Sequence, residues 1–296
     1  MFNKLAKLLR MFFRSSRCQS TVSNILNNDE NKQQLIALFR ENVKGRSADI
    51  ERMNVRHDGR RGHWLEAQFG IHHNADNSAD ILGYELKNET TSKTTFGDWS
   101  ANEYIYNDLN YRSVFNRATP IENRDLFLSI FGKPNVDKGG RCSWSGEPCP
   151  KISDYNRFGQ KLVITDTKDI IAEYCYSQDA RENKAQIVPT LLQQEHLQLA
   201  RWYGAAKPQG YKGKCLKEKL EDKFNNKGWF TCKTDCFGRY CKICFGEPMT
   251  FDNWINLVSQ GIVFFDSGMY QGNERPYSQW RADNKYWDSL IVEEFE

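Results

Sequence analysis

No stretch of this sequence approaches the ~20 consecutive apolar residues that a bilayer-crossing helix needs, so nothing in it reads as a helical membrane span. A large charge excess is missing as well. The net charge is +3, and a nucleic-acid partner cannot be argued from that total, because its signature is a clustered basic face. Internal repeats and low-complexity tracts are absent. The nine cysteines are an odd number without an apolar signal sequence ahead of them, which argues against a secreted disulfide framework. Acidic residues are missing from positions 1–28 altogether.

What remains is a globular chain. Hydrophobic residues make up 39% and aromatics 13% of 296 residues, enough to bury one large or two modest cores. In the acid-free start, Lys4, Lys7, Arg10, Arg14 and Arg17 recur every three or four positions opposite Leu5, Leu8, Leu9, Phe12 and Phe13. A helix there would be basic and amphipathic. It reads equally as a mitochondrial presequence and as an ordinary helix or basic arm on DNA phosphates. The first implies the mitochondrial matrix of a eukaryote, the second a bacterial cytoplasm.

The most informative segment is Glu66-Ala-Gln-Phe-Gly70, followed by Ala79-Asp80-Ile-Leu-Gly83-Tyr-Glu85-Leu-Lys87. Three carboxylates and a lysine fall around an apolar run that reads as a buried strand, with Glu66 on the first turns of a helix after Gly59-Arg-Arg-Gly62. Close carboxylates repel unless a cation neutralises them, and hard oxygen ligands suit Mg²⁺. Lys87, two residues after Glu85, shares its face of a strand. From there it can orient a water or offset charge on a pentavalent phosphate. The bland alternative is a solvated surface hairpin, disfavoured by Ile81, Leu82, Tyr84 and Leu86, which make both faces apolar. Asp80 and Glu85 are an odd number of residues apart, so a regular strand would aim them at opposite faces. A bulge, bend or hairpin turn is therefore expected within Ile81–Tyr84, around Gly83.

Gly62-His-Trp-Leu-Glu66-x3-Gly70 and Ala79-Asp80-Ile-Leu-Gly-Tyr-Glu85-Leu-Lys87 resemble the MutH-like branch of the PD-(D/E)xK nucleases, closest to type II restriction endonucleases of the MvaI and BcnI kind. The resemblance extends from about Gly59 through Thr94–Trp99 to Phe264–Asn273. It implies an α/β (α+β) restriction-endonuclease-like core, a mixed central sheet flanked by helices, with a DNA-reading lobe beside it. The implied activity is Mg²⁺-dependent, sequence-specific cleavage of double-stranded DNA, by an enzyme able to work as a monomer. A cognate DNA methyltransferase would be its genetic partner. Asp80 and Glu85 would hold Mg²⁺, with the Leu86 carbonyl a further ligand. Lys87 would position or help deprotonate the attacking water, and Glu66 would bind a second ion or fix Lys87. A MutH-like repair nickase shares those residues. A non-catalytic zinc-containing nucleic-acid-binding module is the third reading, and it leaves Glu66, Asp80, Glu85 and Lys87 unexplained.

Two further constellations stand out. Cys232, Cys236, Cys241 and Cys244 lie close enough in sequence to hold one structural Zn²⁺, and they read equally as a half-buried hairpin with Phe237, Tyr240, Ile243 and Phe245. Cys142 and Cys149 read as structural. The stretch from Asp266 to Arg281 interleaves polar groups with aromatics: Asp266, Tyr270, Asn273, Arg275, Gln279 and Arg281 are the candidates for DNA contact. Arg pairs with guanine bidentately and Asn or Gln with adenine; a solvated loop closing an aromatic cluster is the alternative. Lys207, Lys212, Lys214 and Lys217 read as a phosphate-contacting patch or a solvated face.

The organisation expected from these signals is a basic segment at 1–28, a catalytic lobe at 29–190 and a recognition lobe at 191–296. Helices are expected from Lys32 to about Val43, from Asn123 to Phe131, from Leu191 to Tyr203, from Cys215 to Phe224 and over Trp254–Val258. Leu162–Thr165 and Ile170–Tyr176 should pair as strands, and Ile262–Phe265 should be a short buried one.

Overall fold

Leu35, Ile36, Phe39 and Val43 recur at helical spacing, and in a computed structural model of the chain they form the buried stripe of a helix over 30–42, α1. The structure describes residues 30–50, 59–71, 77–88 and 91–296, so the basic segment 1–28 lies outside the described residues. The further helices are α2 (Arg60–Gln68), α3 (Pro120–Phe131), α4 (Lys184–Ile187), α5 (Leu216–Phe224), α6 (Phe251–Ser259) and α7 (Asn284–Ser289). The strands are β1 (Glu85–Leu86), β2 (Lys93–Asp98), β3 (Glu103–Tyr104), β4 (Lys133–Asn135), β5 (Arg141–Ser143), β6 (Phe158–Ile164) and β7 (Ile170–Asp179). They continue with β8 (Leu197–Trp202), β9 (Trp229–Thr234), β10 (Tyr240–Gly246), β11 (Phe264–Ser267), β12 (Ser278–Asp283) and β13 (Ile291–Phe295). Among the described residues no helix is long and apolar enough to cross a membrane.

These elements form two compact units. The smaller gathers the described residues between 30 and 88 together with 229–246 and 292–296. Its sheet runs β1-β9-β10-β13, mixed because β1 pairs with β9 in parallel, Glu85 level with Trp229, while β10 pairs with β9 antiparallel. One buried cluster joins the elements: Leu35, Phe39, Leu65, Phe69, Tyr84, Leu86, Phe230, Ile243 and Phe245. Phe69 meets Phe230 edge-on at 5.0 Å, and Tyr84 meets Phe245 at 5.6 Å. The larger unit comprises residues 89–228 and 247–291. It holds the sheets β11-β12-β2 and β3-β8-β7-β6 around an aromatic core in which Trp280 packs 5.5 Å from Trp202 and 5.4 Å from Trp254. This partition is not the one expected at 190/191, because β9 and β10 return to pair with β1.

One element differs from expectation. Leu191–Tyr203 is not a helix: Leu197, Leu199 and Trp202 are buried on β8, which is sandwiched between β3 and β7. The alternation Leu197-x-Leu199 is a strand period, and pairing on both edges overrides the helical reading. The run 79–87 breaks within Ile81–Tyr84 as expected, and β1 occupies only Glu85–Leu86. The remaining helices, the β6–β7 pair and the short strand near Phe265 appear within a few residues of their expected places.

Candidate active site

The chain turns between Asp80 and Glu85, where a break is expected. Ile81 and Tyr84 form an isolated antiparallel bridge, Tyr84 N donating to Ile81 O at 2.8 Å and Ile81 N to Tyr84 O at 3.1 Å. The two residues between them both have positive φ, Leu82 at 52° and Gly83 at 85°, the signature of a type I′ hairpin turn. The chain reverses over four residues, and Asp80 folds back onto β1: its carboxylate accepts a hydrogen bond from Leu86 N at 2.9 Å. Glu85 and Lys87, an even spacing apart, share a face without any such device. Lys87 Nζ donates to Glu85 Oε1 at 2.9 Å, and the two residues are 3% and 6% exposed.

Glu66 lies on α2, which packs through Leu65 and Phe69 into the same core as Tyr84 and Leu86. A Cβ at Gly62 would touch the Asn88 side chain at 3.5 Å, so α2 lies against the residue that follows Lys87. The Glu66 carboxylate approaches His63 Nδ1 at 3.4 Å. Among the described residues no group of three or more His, Cys, Asp or Glu side chains could hold a metal ion. A cation here would therefore take two carboxylates, with backbone carbonyl, water and phosphate oxygens completing its shell. That is the usual ligand economy of Mg²⁺. The donors present, Asp80, Glu85 and the backbone around Leu86, fit such an ion.

Replacing Gly83 by valine should test the turn. A β-branched residue at φ 85° costs about 1–3 kcal/mol, so melting should fall modestly. Cleavage should fall much further, because the Asp80 carboxylate loses its place beside Leu86 N. Parallel melting and rate measurements separate the two effects, and equal losses would deny the turn a catalytic role.

The cysteines do not form a zinc site. Cys232 stands opposite Ile243 and Cys244 opposite Thr231, so the two thiols point to opposite faces of the β9–β10 ribbon. Cys236 is exposed at the turn, and Cys241 donates to Lys233 O. Burial, with Cys244 nearby, pushes the Cys232 thiol well above its ordinary range. Cys232 belongs to the apolar cluster instead. Metal analysis of purified protein should find no stoichiometric zinc. Cys236→Ser should leave melting within ~0.5 kcal/mol.

The six candidate DNA-contacting residues lie in the larger unit. On β11 and β12, Asp266 stands level with Gln279 and Phe264 with Arg281, while Trp280 and Ala282 face the core. Asp266, Gln279 and Arg281 thus share one outer face. Asp266 pairs with Lys93 at 2.6 Å and with Arg281 at 3.4 Å, and Arg281 donates to Gln279. Arg275 is half-exposed, pairs with Asp98 at 2.8 Å and stacks on Tyr277. Asn273 is buried and holds its own loop, accepting from Tyr270 N at 2.6 Å. Tyr270 carries the Arg141 guanidinium over its ring, a neighbour that nothing in the local sequence signals. The lysine patch is partly spent on ion pairs, Lys207 with Glu218 and Lys214 with Asp222.

Comparison with known proteins gives the family. A family model described as LlaMI restriction endonuclease matches residues 43–295. The type II restriction enzyme ScrFI of Lactococcus lactis subsp. cremoris is 63% identical over 265 residues, covering 89% of this chain and 98% of that protein. Among solved structures, restriction endonuclease MvaI in a complex with its cognate DNA substrate superposes with a TM-score of 0.51 at 12% identity, over 89% of this chain and 96% of the other. That likeness carries the fold alone. The match over 253 of 296 residues and the identity to ScrFI place the chain in the LlaMI restriction endonuclease family, as an enzyme of the type II restriction class.

Proposed function

We propose that this chain cuts double-stranded DNA at a specific sequence by Mg²⁺-assisted phosphodiester hydrolysis, with the chemistry in the smaller unit. The observation that carries this reading is the Leu82–Gly83 turn, which folds the Asp80 carboxylate onto the strand bearing the buried Glu85–Lys87 pair. Asp80 and Glu85 would hold Mg²⁺, with the Leu86 carbonyl as a further ligand. When bound, the ion supplies a more acidic water and a counter-charge for the phosphorane. Lys87 keeps its ammonium against Glu85, where it orients the attacking water and offsets developing negative charge. Glu66 would hold a second ion or steady Lys87 from α2.

The larger unit would read the DNA through the face carrying Asp266, Gln279 and Arg281 and through Arg275 and Tyr270, with Asn273 shaping the loop. MvaI, whose fold this chain shares, was solved with a cognate DNA substrate, and this chain would act on its duplex as a monomer. A cognate methyltransferase would protect host DNA, in a bacterial cytoplasm. The relative from Lactococcus lactis gives a mitochondrial presequence no support, and its class favours double-strand cutting over a nickase. Unmethylated phage DNA incubated with the protein and Mg²⁺ should yield discrete fragments whose ends share one sequence. EDTA should abolish them. Intact DNA, or fragments with random ends, would overturn the proposal.

A further inference from the structure

The arginines of the larger unit fall into two groups. Arg181, Arg201, Arg275 and Arg281 each pair with a carboxylate, on Asp179, Asp169, Asp98 and Asp266 respectively. Among the described residues no carboxylate pairs with Arg112, Arg117, Arg124, Arg141 or Arg157, and of these five Arg141 is the one stacked on an aromatic ring. Its guanidinium carbon lies 3.5 Å from the Tyr270 ring centroid, and its Nε is buried without a hydrogen-bond partner. A buried donor left unmet is a cost that Arg124 and Arg281 share, so the ring beneath the guanidinium is what distinguishes Arg141.

The surroundings hold this cation still. Ser143 and Tyr270 form an antiparallel bridge, Gln271 N donates to Cys142 O at 2.9 Å, and Cys142 N donates to Gln271 Oε1 at 2.7 Å. Gly272 N donates to the Asp125 carboxylate on α3 at 3.0 Å, and Asn273 closes the loop back onto Tyr270. Tyr270 is thus fixed to β5 on one side and to α3 on the other. Stacking on a fixed ring sets the plane of the guanidinium, and with it the plane of the fork that Nη1 and Nη2 would offer.

We infer that Arg141, held flat by Tyr270, reads a guanine in the recognition sequence through its O6/N7 edge. The inference rests on the nuclease reading above and adds a specificity-determining residue to it. A phosphate accepts a mobile lysine as readily as an arginine, whereas a bidentate base contact requires a fixed planar fork. That difference in geometry favours a base over the backbone. Tyr270 is the positioning residue.

Cleavage of a duplex library randomised over the recognition region, with the cut ends sequenced, tests this. Arg141→Ala should lower kcat/KM on the wild-type site by about ten- to a hundredfold and relax the preference at one guanine while the other positions hold. Arg141→Lys should not rescue it. Tyr270→Ala should reproduce the relaxation, and Tyr270→Phe, which keeps the ring, should restore the preference. An Arg141 variant that folds, judged by its melting, and keeps every preference overturns the inference. So does a uniform weakening with a salt slope lower by about one, which marks a phosphate contact. Should Arg141→Ala fail to fold, the lysine variant and the two Tyr270 variants decide alone. A wild type that cuts no library member defeats the nuclease reading itself.

Discussion

Asp80→Ala is expected to slow DNA cleavage by at least about a thousandfold, roughly 4 kcal/mol of transition-state stabilisation. Glu85→Ala should do the same. Both remove one of two carboxylates that would hold the ion, and with so few protein ligands neither loss is compensated. The Asp80 variant should keep its fold, because the hydrogen bond that the carboxylate accepts from Leu86 N is worth about 1 kcal/mol. Binding to DNA without Mg²⁺ should survive as well. Lys87→Ala should abolish cutting while metal binding persists. Lys87→Arg should not restore it, since a planar guanidinium cannot replace a compact ammonium packed against Glu85 with 6% exposure. Single-turnover cleavage with a gel-shift control separates these outcomes. An Asp80→Ala enzyme that cuts at the wild-type rate would remove the site from this strand.

The largest expected loss of stability lies elsewhere. Asp179, at the end of β7, has a fully buried side chain and accepts hydrogen bonds from Arg181 N at 3.0 Å, Arg181 Nη2 at 2.7 Å and Tyr174 OH at 2.9 Å. Arg181 in turn donates to Ile130 O at 2.8 Å on α3 and lies over the Phe158 ring. Asp179→Ala strands the Arg181 charge and should cost about 3–5 kcal/mol, a fall in melting temperature of roughly 6–20 °C. Burial raises the Asp179 carboxyl, but the hydrogen bonds and charge of Arg181 outweigh it and hold the group below its ordinary value. A depressed carboxylate stabilises the fold above the unfolded-state value, near 3.9, and that contribution disappears as pH falls through the lower folded one. Wild type should therefore lose more stability than Asp179→Ala on acidification below about pH 4. Melting curves at pH 7 and pH 3 measure both claims. Equal acid sensitivity would show that the network contributes little.

The residues of the site were legible because their chemistry conflicts with their setting: three charges in an apolar run, and a parity between Asp80 and Glu85 that only a reversal can reconcile. Gly83 marked the place, although a leucine at positive φ beside it could not be foreseen. The zinc reading failed because four nearby cysteines carry no information on which side of a ribbon each will face. The helix expected at Leu191–Tyr203 failed for a different reason. Its apolar positions fit both periods, and the choice was made by strands β3 and β7, distant in the chain. The lobe boundary failed likewise, since nothing local announces that Trp229–Gly246 will pair with Glu85–Leu86. Arg141 has an ordinary sequence context, and its importance emerges only where Tyr270 returns to meet it.

The smaller unit draws its sheet from three separate stretches, and that has a consequence for the order in which the protein is made. Glu85 emerges early, but its neighbour β9 follows only after the 140 residues 89–228. At roughly 5–20 residues per second that is a wait of about 7–28 s, with β13 later still. Pairings so remote in sequence also form slowly once available. A nascent chain therefore carries Asp80, Glu85 and Lys87 without the strand that holds them in register, and an interrupted product ending before Trp229 should be unable to cut. The topology itself should thus delay the onset of activity until nearly the whole chain exists.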